Sequence, residues 1–302
     1  MSFTAQDVKN LREQTGSGMM DCKKALTEAN GDFEKAVEFL REKGLADAQK
    51  KASRIASEGL VHALADIEKG VGAIVEVNSE TDFVAKNDSF KEFVKGIAEI
   101  VKENAPNDVE ALLTLPMEGK TVAEVLTEKI SVIGENLKIR RFTRYEGTCV
   151  AYIHGGGTHG VLVQFDAPKN VVSSAAFELF GKDIAMQIAA VNPLYINKED
   201  IPETVVEEEK KILTAQAINE GKPEAIAQKM VIGRIEKYFK DVCLLEQAFV
   251  KDSDITVKEY IAKTGKELGG DIQVKAFSRF EKGEGIEKKE DDFAAEVAKM
   301  VK

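Results

Sequence analysis

The sequence predicts an α+β protein: a small helical bundle, then two related α+β units with short antiparallel sheets. Three observations carry that expectation. Apolar residues recur at helical spacing through the first 45 positions, strand-like apolar runs begin at position 58, and the strand-bearing segment occurs twice.

Residues 1–45 read as three helices. Thr4 with Asp7 forms a capping pattern ahead of Val8 and Leu11, and Gly16-Ser17-Gly18 breaks the first helix. Met19, Cys22, Ala25 and Leu26 mark the second. Asn30-Gly31-Asp32 ends it and caps a third, whose stripe is Phe33, Ala36, Val37 and Leu40. None of these short helices is stable alone, so they are expected to pack as a bundle. Gly44 is expected to end the third helix, with residues 46–57 forming a polar connecting helix.

The repeat then begins. Glu58-Gly59 through Gly72-Ala73-Ile74-Val75-Glu76-Val77 lines up with Glu146-Gly147 through Gly160-Val161-Leu162-Val163-Gln164-Phe165, each reading as strand, turn, strand. A helical stripe follows in both copies: Phe90, Phe93, Ile97 and Val101, then Phe177, Phe180, Ile184 and Ile188. The copies also share an ending, Thr121-Val122-Ala123-Glu124 with Gly134 and Thr256-Val257-Lys258-Glu259 with Gly269. The offset is 88 residues at Gly59 and Gly147 but 135 at Gly134 and Gly269, so the second copy carries 47 extra residues (135 − 88). The first unit is thus expected over 58–145 and the second over 146–281.

The extra residues, about 202–247, read as an antiparallel helical hairpin. One apolar face is Val205, Val206, Ile212, Leu213 and Ala217, and the other is Val231, Ile235, Tyr238, Val242 and Leu245, with Gly221 and Pro223 at the turn. The pattern fits either a short projecting coiled coil or a hairpin packed flat on its own unit. Residues 282–302 form the last module, a hinge at Lys282-Gly283-Glu284-Gly285 and a short amphipathic helix with Phe293, Val297 and Met300.

Composition narrows the function. A net charge of −10 and a pI near 5.1 oppose binding to nucleic acid, and the nearest basic cluster is only Lys50, Lys51 and Arg54. No apolar run approaches the roughly 18–20 residues that cross a bilayer, and Met1–Asp7 lacks the features of a secretory signal. Cys22, Cys149 and Cys243 are widely separated, as expected of reduced thiols. The expectation is a cytoplasmic protein without contact to membrane or nucleic acid.

No catalytic constellation survives inspection. His154-Gly155-Gly156-Gly157 lacks the Gly-x-Ser-x-Gly partner that an esterase requires, which leaves a hydrolase remote. Gly155, Gly157 and Gly160 fit GxGxxG, but a strand pattern follows where a dinucleotide site needs a helix, so they read as a hairpin turn. Gly119-Lys120-Thr121 has Thr114 where a P-loop needs its first glycine. His62, His154 and His159 lack zinc-site spacing, and the carboxylates are expected on solvent faces. The chain reads as a binding protein, with no cofactor or metal of its own and no enzymatic activity.

One motif stands apart: Asn78-Ser79-Glu80-Thr81-Asp82-Phe83-Val84-Ala85-Lys86-Asn87-Asp88. Thr81 or Asp82 could cap a helix with Phe83 packed inward. Alternatively, Asn87-Asp88 caps the Phe90 helix and leaves Asp82-Phe83 in a connecting turn. The corresponding place in the second copy, near Asn170-Val171-Val172, has no aromatic, so Phe83 is not required merely to build such a unit.

The chain closely resembles the bacterial elongation factor Ts family, the guanine nucleotide exchange factors of elongation factor Tu. The resemblance rests on the run from Leu11 to Leu26 (LREQTGSGMMDCKKAL), on Thr81-Asp82-Phe83-Val84-Ala85-Lys86, on Ile133-Gly134-Glu135-Asn136, on Gly160-Val161-Leu162-Val163 and on Gly283-Glu284-Gly285-Ile286-Glu287-Lys288. It implies that the N-terminal module is similar to a ubiquitin-associated domain and, with the C-terminal helix, grips the nucleotide-binding domain of elongation factor Tu. It further implies that Asp82 and Phe83, flanked by Thr81 and Val84, enter the partner near its magnesium site. By the same resemblance Met19 and Met20 in the helical module, Ile133 and Gly134 in the core and His154 in the second unit meet the partner. The family's loop after this histidine is less glycine-rich than Gly155-Gly156-Gly157. Asp82 would either orient its loop or repel nearby anions. The competing expectation is a protein-binding or chaperone-like module without exchange activity. The pattern does not specify an oligomeric state, and it leaves a homodimer through the helical hairpin or second unit open.

Overall fold

The computed structural model describes residues 3–287; the expected helix carrying Phe293, Val297 and Met300 lies outside the described residues. Two compact units are present. The first comprises the chain up to His62, Val75–Phe142 and the segment from Glu281; the second comprises Ala63–Ile74 and Thr143–Phe280.

Three helices open the first unit: α1 (Ala5–Thr15), α2 (Met19–Glu28) and α3 (Phe33–Lys51). A capping box between Thr4 and Asp7 starts α1, left-handed Gly16 ends it, and the Asp32 side chain caps α3. Leu11, Cys22, Ala25, Leu26 and Ala36 are fully buried between them, as the apolar stripes require. Contrary to expectation, α3 does not stop at Gly44 but runs on to Lys51 and takes in the first part of the expected connecting helix. A glycine inside a helix costs only about 0.5–1 kcal/mol relative to alanine. Here burial of the helix offsets that cost: Gly44 is itself buried, and a Cβ there would lie at an ordinary contact distance of 3.5 Å from the Ser131 Cβ.

The repeat is reproduced element by element. The first copy runs β1 (Glu58–Asp66), β2 (Val71–Ser79), α4 (Asp82–Lys86), α5 (Asp88–Asn104), α6 (Val109–Thr114), β3 (Pro116–Met117), β4 (Lys120–Thr121), α7 (Val122–Ile133) and β5 (Lys138–Glu146). The second runs β6 (Thr148–His154), β7 (His159–Asp166), α8 (Lys169–Val172), α9 (Ala175–Val191), α10 (Glu203–Asn219), α11 (Glu224–Val242), β8 (Ala248–Phe249), β9 (Asp252–Thr256), α12 (Val257–Leu268) and β10 (Gln273–Glu281). The sheets have matching orders, β1-β2-β5 and β6-β7-β10. Capping boxes at Thr121/Glu124 and Thr256/Glu259 open α7 and α12, and left-handed Gly134 and Gly269 close them. Glycine-Lys120-Thr121 is therefore a small hairpin and a helix cap rather than a phosphate loop.

In the second unit Phe165, Phe177 and Phe180 cluster with ring centroids 5.5–6.0 Å apart, and Ile184, Ile188 and Val257 complete the core. β6 and β7 pair from Thr148↔Phe165 to His154↔His159, and Gly155, Gly156 and Gly157 turn between them with positive φ. The inserted helices α10 and α11 bury Ala217, Ala227, Val231 and Ile235. Ile212, assigned to the apolar face, is instead 51% exposed, as the narrow seam between two helices holds fewer residues than the apolar pattern supplies.

One polar expectation is corrected in β2. Its nine residues, Ala73, Val75 and Val77 among them, are all buried, so this middle strand of its sheet is covered on both faces. Glu76, expected at a solvent face with the other carboxylates, is completely buried. It accepts from Arg140 Nη1 at 3.0 Å, Arg141 Nε at 2.6 Å, Asn78 Nδ2 at 3.1 Å and the Gly283 amide at 2.8 Å. Arg141 continues to the Glu284 carboxylate at 3.0 Å, and Lys282 pairs with Glu58. Gly283 has φ of 68°, and a Cβ there would meet the Ser57 carbonyl oxygen at 1.9 Å, so no other residue fits.

Replacing Glu76 with Gln should cost about 2–4 kcal/mol in urea unfolding, somewhat below the 3–5 of fully buried pairs because both arginines retain contact with water. All three cysteines are buried, and burial pushes the Cys149 thiol up to about 12 and the Cys243 thiol to about 11. A thiol reagent at neutral pH should therefore label none of them rapidly in the native protein and all three in denaturant.

Candidate partner-binding surface

Thr81-Asp82-Phe83-Val84 is not the connecting turn expected when Asn87 caps the next helix. Asn87 does cap α5, accepting from Ser89 N at 2.9 Å, but Asp82–Lys86 still form the short helix α4. Nor is Phe83 packed inward. Val84 and Ala85 anchor one side of α4 in the core, while Phe83 is 79% exposed, more than any other large apolar side chain among the described residues. An exposed phenylalanine forgoes roughly 1.5–3 kcal/mol of burial, so folding does not explain it.

The second copy supplies an internal comparison. Counting from the N-cap residues Thr81 and Pro168, Val84 and Val171 both hold the third helical position and both are buried. Phe83 corresponds in the same count to Asn170, a polar residue on the surface.

Asp82 occupies the first turn of α4, where a negative charge complements the helix dipole. Lys86 Nζ donates to its Oδ2 at 2.6 Å and lies 5.7 Å from the centre of the Phe83 ring. The bond from Lys86 holds the Asp82 carboxyl below the ordinary carboxylate range, so it is ionised at neutral pH. The exposed tip thus presents an aromatic ring flanked by an acid and a base.

The base of the tip is bound to the Ile133-Gly134-Glu135-Asn136 run. Glu135 accepts from Thr81 N at 3.0 Å and from Thr81 Oγ1 at 2.6 Å, and Glu80 accepts from Asn136 N at 2.6 Å. Asn136 Nδ2 donates to the Arg54 carbonyl at 2.8 Å, and the Arg54 guanidinium lies 3.4 Å from Glu80. Two motifs singled out separately in the sequence are therefore one structure. The roles of Glu80, Glu135 and Asn136 were not legible there, because the bonds span more than fifty positions.

Residues 80–284 match the sequence profile of the family described as Elongation factor TS. Proteins named Elongation factor Ts from Clostridium perfringens (strain SM101 / Type A) and Clostridium kluyveri (strain NBRC 12016) are 54% and 52% identical to this chain, each alignment covering 99% of both chains. One from Syntrophotalea carbinolica is 50% identical over 100% of both. The chain belongs to the elongation factor Ts family. It is an elongation factor of protein biosynthesis.

The other residues that the family resemblance singles out are distributed as follows. Met19 and Met20 open α2 and are 54% and 73% exposed, too much for core residues. Ile133 is half-buried at the end of α7, and Gly134 is its left-handed cap. A Cβ on Gly16, three positions before Met19, would lie 3.5 Å from Val132 Cγ2, so the start of α2 and the end of α7 are near one another within the first unit. His154 lies in the second unit at the exposed end of β6, with Nδ1 3.0 Å from the Tyr152 hydroxyl and its ring 6.3 Å from that of His159. Among the described residues no helix is long and apolar enough to cross a membrane, and no group of three or more His, Cys, Asp or Glu could hold a metal ion.

These placements separate surface from support. Phe83→Ala should leave the unfolding free energy from urea titration within about 0.5 kcal/mol of wild type, as for ordinary surface substitutions. Val84→Ala, one position along, should cost roughly 1–3 kcal/mol by opening a cavity.

Proposed function

We propose that this elongation factor Ts family member is a guanine nucleotide exchange factor that binds elongation factor Tu·GDP in the cytoplasm and promotes release of the nucleotide. The observation that carries the proposal is the exposed Phe83 on a helix whose neighbouring residues are anchored. The reading assigns Asp82 and Phe83 to the tip that enters the partner near its magnesium site. Met19, Met20, Ile133, Gly134 and His154 are assigned to the surrounding contact surface, and the work is done by binding rather than by turnover of a substrate.

The physics of such a step is differential affinity. GDP in a nucleotide-binding domain is held by backbone amides around its phosphates and by Mg²⁺ bridging phosphate and protein. A ring wedged among the elements that carry the metal weakens both attachments together. Burial of the ring supplies roughly 1.5–3 kcal/mol toward that displacement, a sum unspent in the free protein because the ring is already in water. The carboxylate of Asp82 arrives ionised, with Lys86 partly neutralising it beside an anionic nucleotide. A factor that gripped both partner states equally would shift nothing. Exchange therefore requires tighter binding to the nucleotide-free partner, each tenfold of preference corresponding to about 1.4 kcal/mol. By linkage GDP loosens the factor to the same degree.

The test is release of fluorescent GDP from elongation factor Tu. Wild type should accelerate it strongly, and Phe83→Ala should lose on the order of tenfold or more of that acceleration while still binding the nucleotide-free partner. Binding by both proteins without acceleration by either would leave a protein-binding module in place of an exchange factor.

A further inference from the structure

We propose that Glu135 is a positioning residue for exchange: its carboxylate holds the N-terminus of α4 so that Phe83 is aimed before the partner arrives. This rests on the exchange reading above and adds to it a residue that touches neither nucleotide nor metal.

A five-residue helix cannot stabilise itself. Its N-cap, Thr81, makes no side-chain capping bond to α4, although Thr4, Asp32, Asn87, Asp108, Thr121, Ser174 and Thr256 all cap their helices; α2, α8, α10 and α11 start from Gly or Pro, which carry no such group. The Thr81 hydroxyl is turned instead to Glu135, which also takes the Thr81 amide. Because the exposed Phe83 is not seated in the core, the direction of α4 is set at its base, where Ser79 Oγ donates to the Thr81 carbonyl at 2.9 Å and two further supports act. One is the apolar contact of Val84 and Ala85, which permits sliding. The other is the pair of charge-assisted bonds to Glu135, which are directional. Glu80 reinforces them from the opposite strand of the clamp by accepting from Asn136 N.

The second copy indicates that the clamp accompanies the aromatic rather than the fold. At the repeat's closing offset of 135, Glu135 corresponds to Gly270, and Pro168 stands at the cap in place of Thr81. A Cβ on Gly270 would lie 2.9 Å from Pro168 Cγ and 2.7 Å from Val171 Cγ2, so the same junction is closed there by direct apolar contact, with Asn170 Nδ2 donating to the Gly269 carbonyl at 3.4 Å beside it. That junction seats its short helix without a carboxylate. The first copy replaces it with a carboxylate bonded twice to the cap, and only that copy carries an exposed ring two residues on.

The clamp also fixes spacing between two parts of the assigned contact surface. Glu135 directly follows Gly134, so Ile133-Gly134 and Asp82-Phe83 are held as one rigid piece. Preorganisation of this kind lowers the ordering cost of binding and matters most where the reacting geometry is tight.

The experiment is a double-mutant cycle on fluorescent GDP release from elongation factor Tu, measured over a range of concentrations of this protein. Glu135→Ala should lower the saturating release rate on the order of tenfold, since a small misplacement of an acting group is costly, with little change in the half-saturating concentration. In a Phe83→Ala background the same substitution should change the rate less than about twofold, because the group it positions is gone. Thr81→Ser, which keeps both donors, should behave as wild type. Thr81→Val, which removes only the hydroxyl bond, should fall in between, and it carries the cycle if Glu135→Ala proves less than fully folded by thermal unfolding. Losses that add in full to that of Phe83→Ala, or a Glu135→Ala protein exchanging at the wild-type rate, would overturn the positioning role. Phe83→Ala exchanging normally would instead overturn the wedge itself.

Discussion

A carboxylate with no access to water organises the first unit. Glu76 lies in a strand buried along its whole length, where an unpaired charge would be intolerable. Its partners are consequently obligatory: two consecutive arginines of β5, an amide side chain of its own strand, and the backbone of Gly283. The chain after β10 is thereby tied to the strand that leads directly into α4. The segment that presents Phe83 begins at Glu80, two residues after Asn78 and just past the end of that strand. The close approach of Gly283 to Ser57 belongs to the same arrangement, since the amide reaches Glu76 only if the backbone can come that near.

From this anchor the first unit grades outward from enforced to free. Glu76 and Asn78 are buried, Glu80 and Thr81 are partly so and tied to the 135–136 segment, Asp82 is held by Lys86, and Phe83 stands in solvent. Rigid support ending in an apolar side chain that folding does not use is what the proposed role of Phe83 requires. The second copy provides the contrast within one chain. With the same succession of strands, short helix and long helix, it closes its junction with Pro168, Val171 and Gly270 and presents no ring.

Membership of the elongation factor Ts family and the exposed aromatic converge on one reading from independent directions. Sequence similarity over the whole chain says what kind of protein this is. The burial of Val84 beside the exposure of Phe83 says which residue of the motif is available to a partner. Neither statement contains the other.

Much of the architecture was legible because it depends on local periodicity. The helical stripes at Val8/Leu11 and at Phe90/Phe93/Ile97, the capping residues Thr121 and Thr256, and the 47-residue insertion are properties of short windows or of the comparison between two windows. Gly44 misled as a helix terminator because the segment that buries it, around Ser131, lies far away in the chain. Glu76 looked like a solvent-facing carboxylate because strand alternation cannot reveal that β2 is covered on both faces. The Thr81–Glu135 clamp was invisible for the same reason, since hydrogen bonds between distant segments leave no periodicity. Order and type of elements, the repeat and the Thr81-Asp82-Phe83-Val84 motif are written in neighbouring residues. That Phe83 faces water, and what holds it there, emerges once distant segments meet, because exposure and long-range hydrogen bonding are properties of the packed chain.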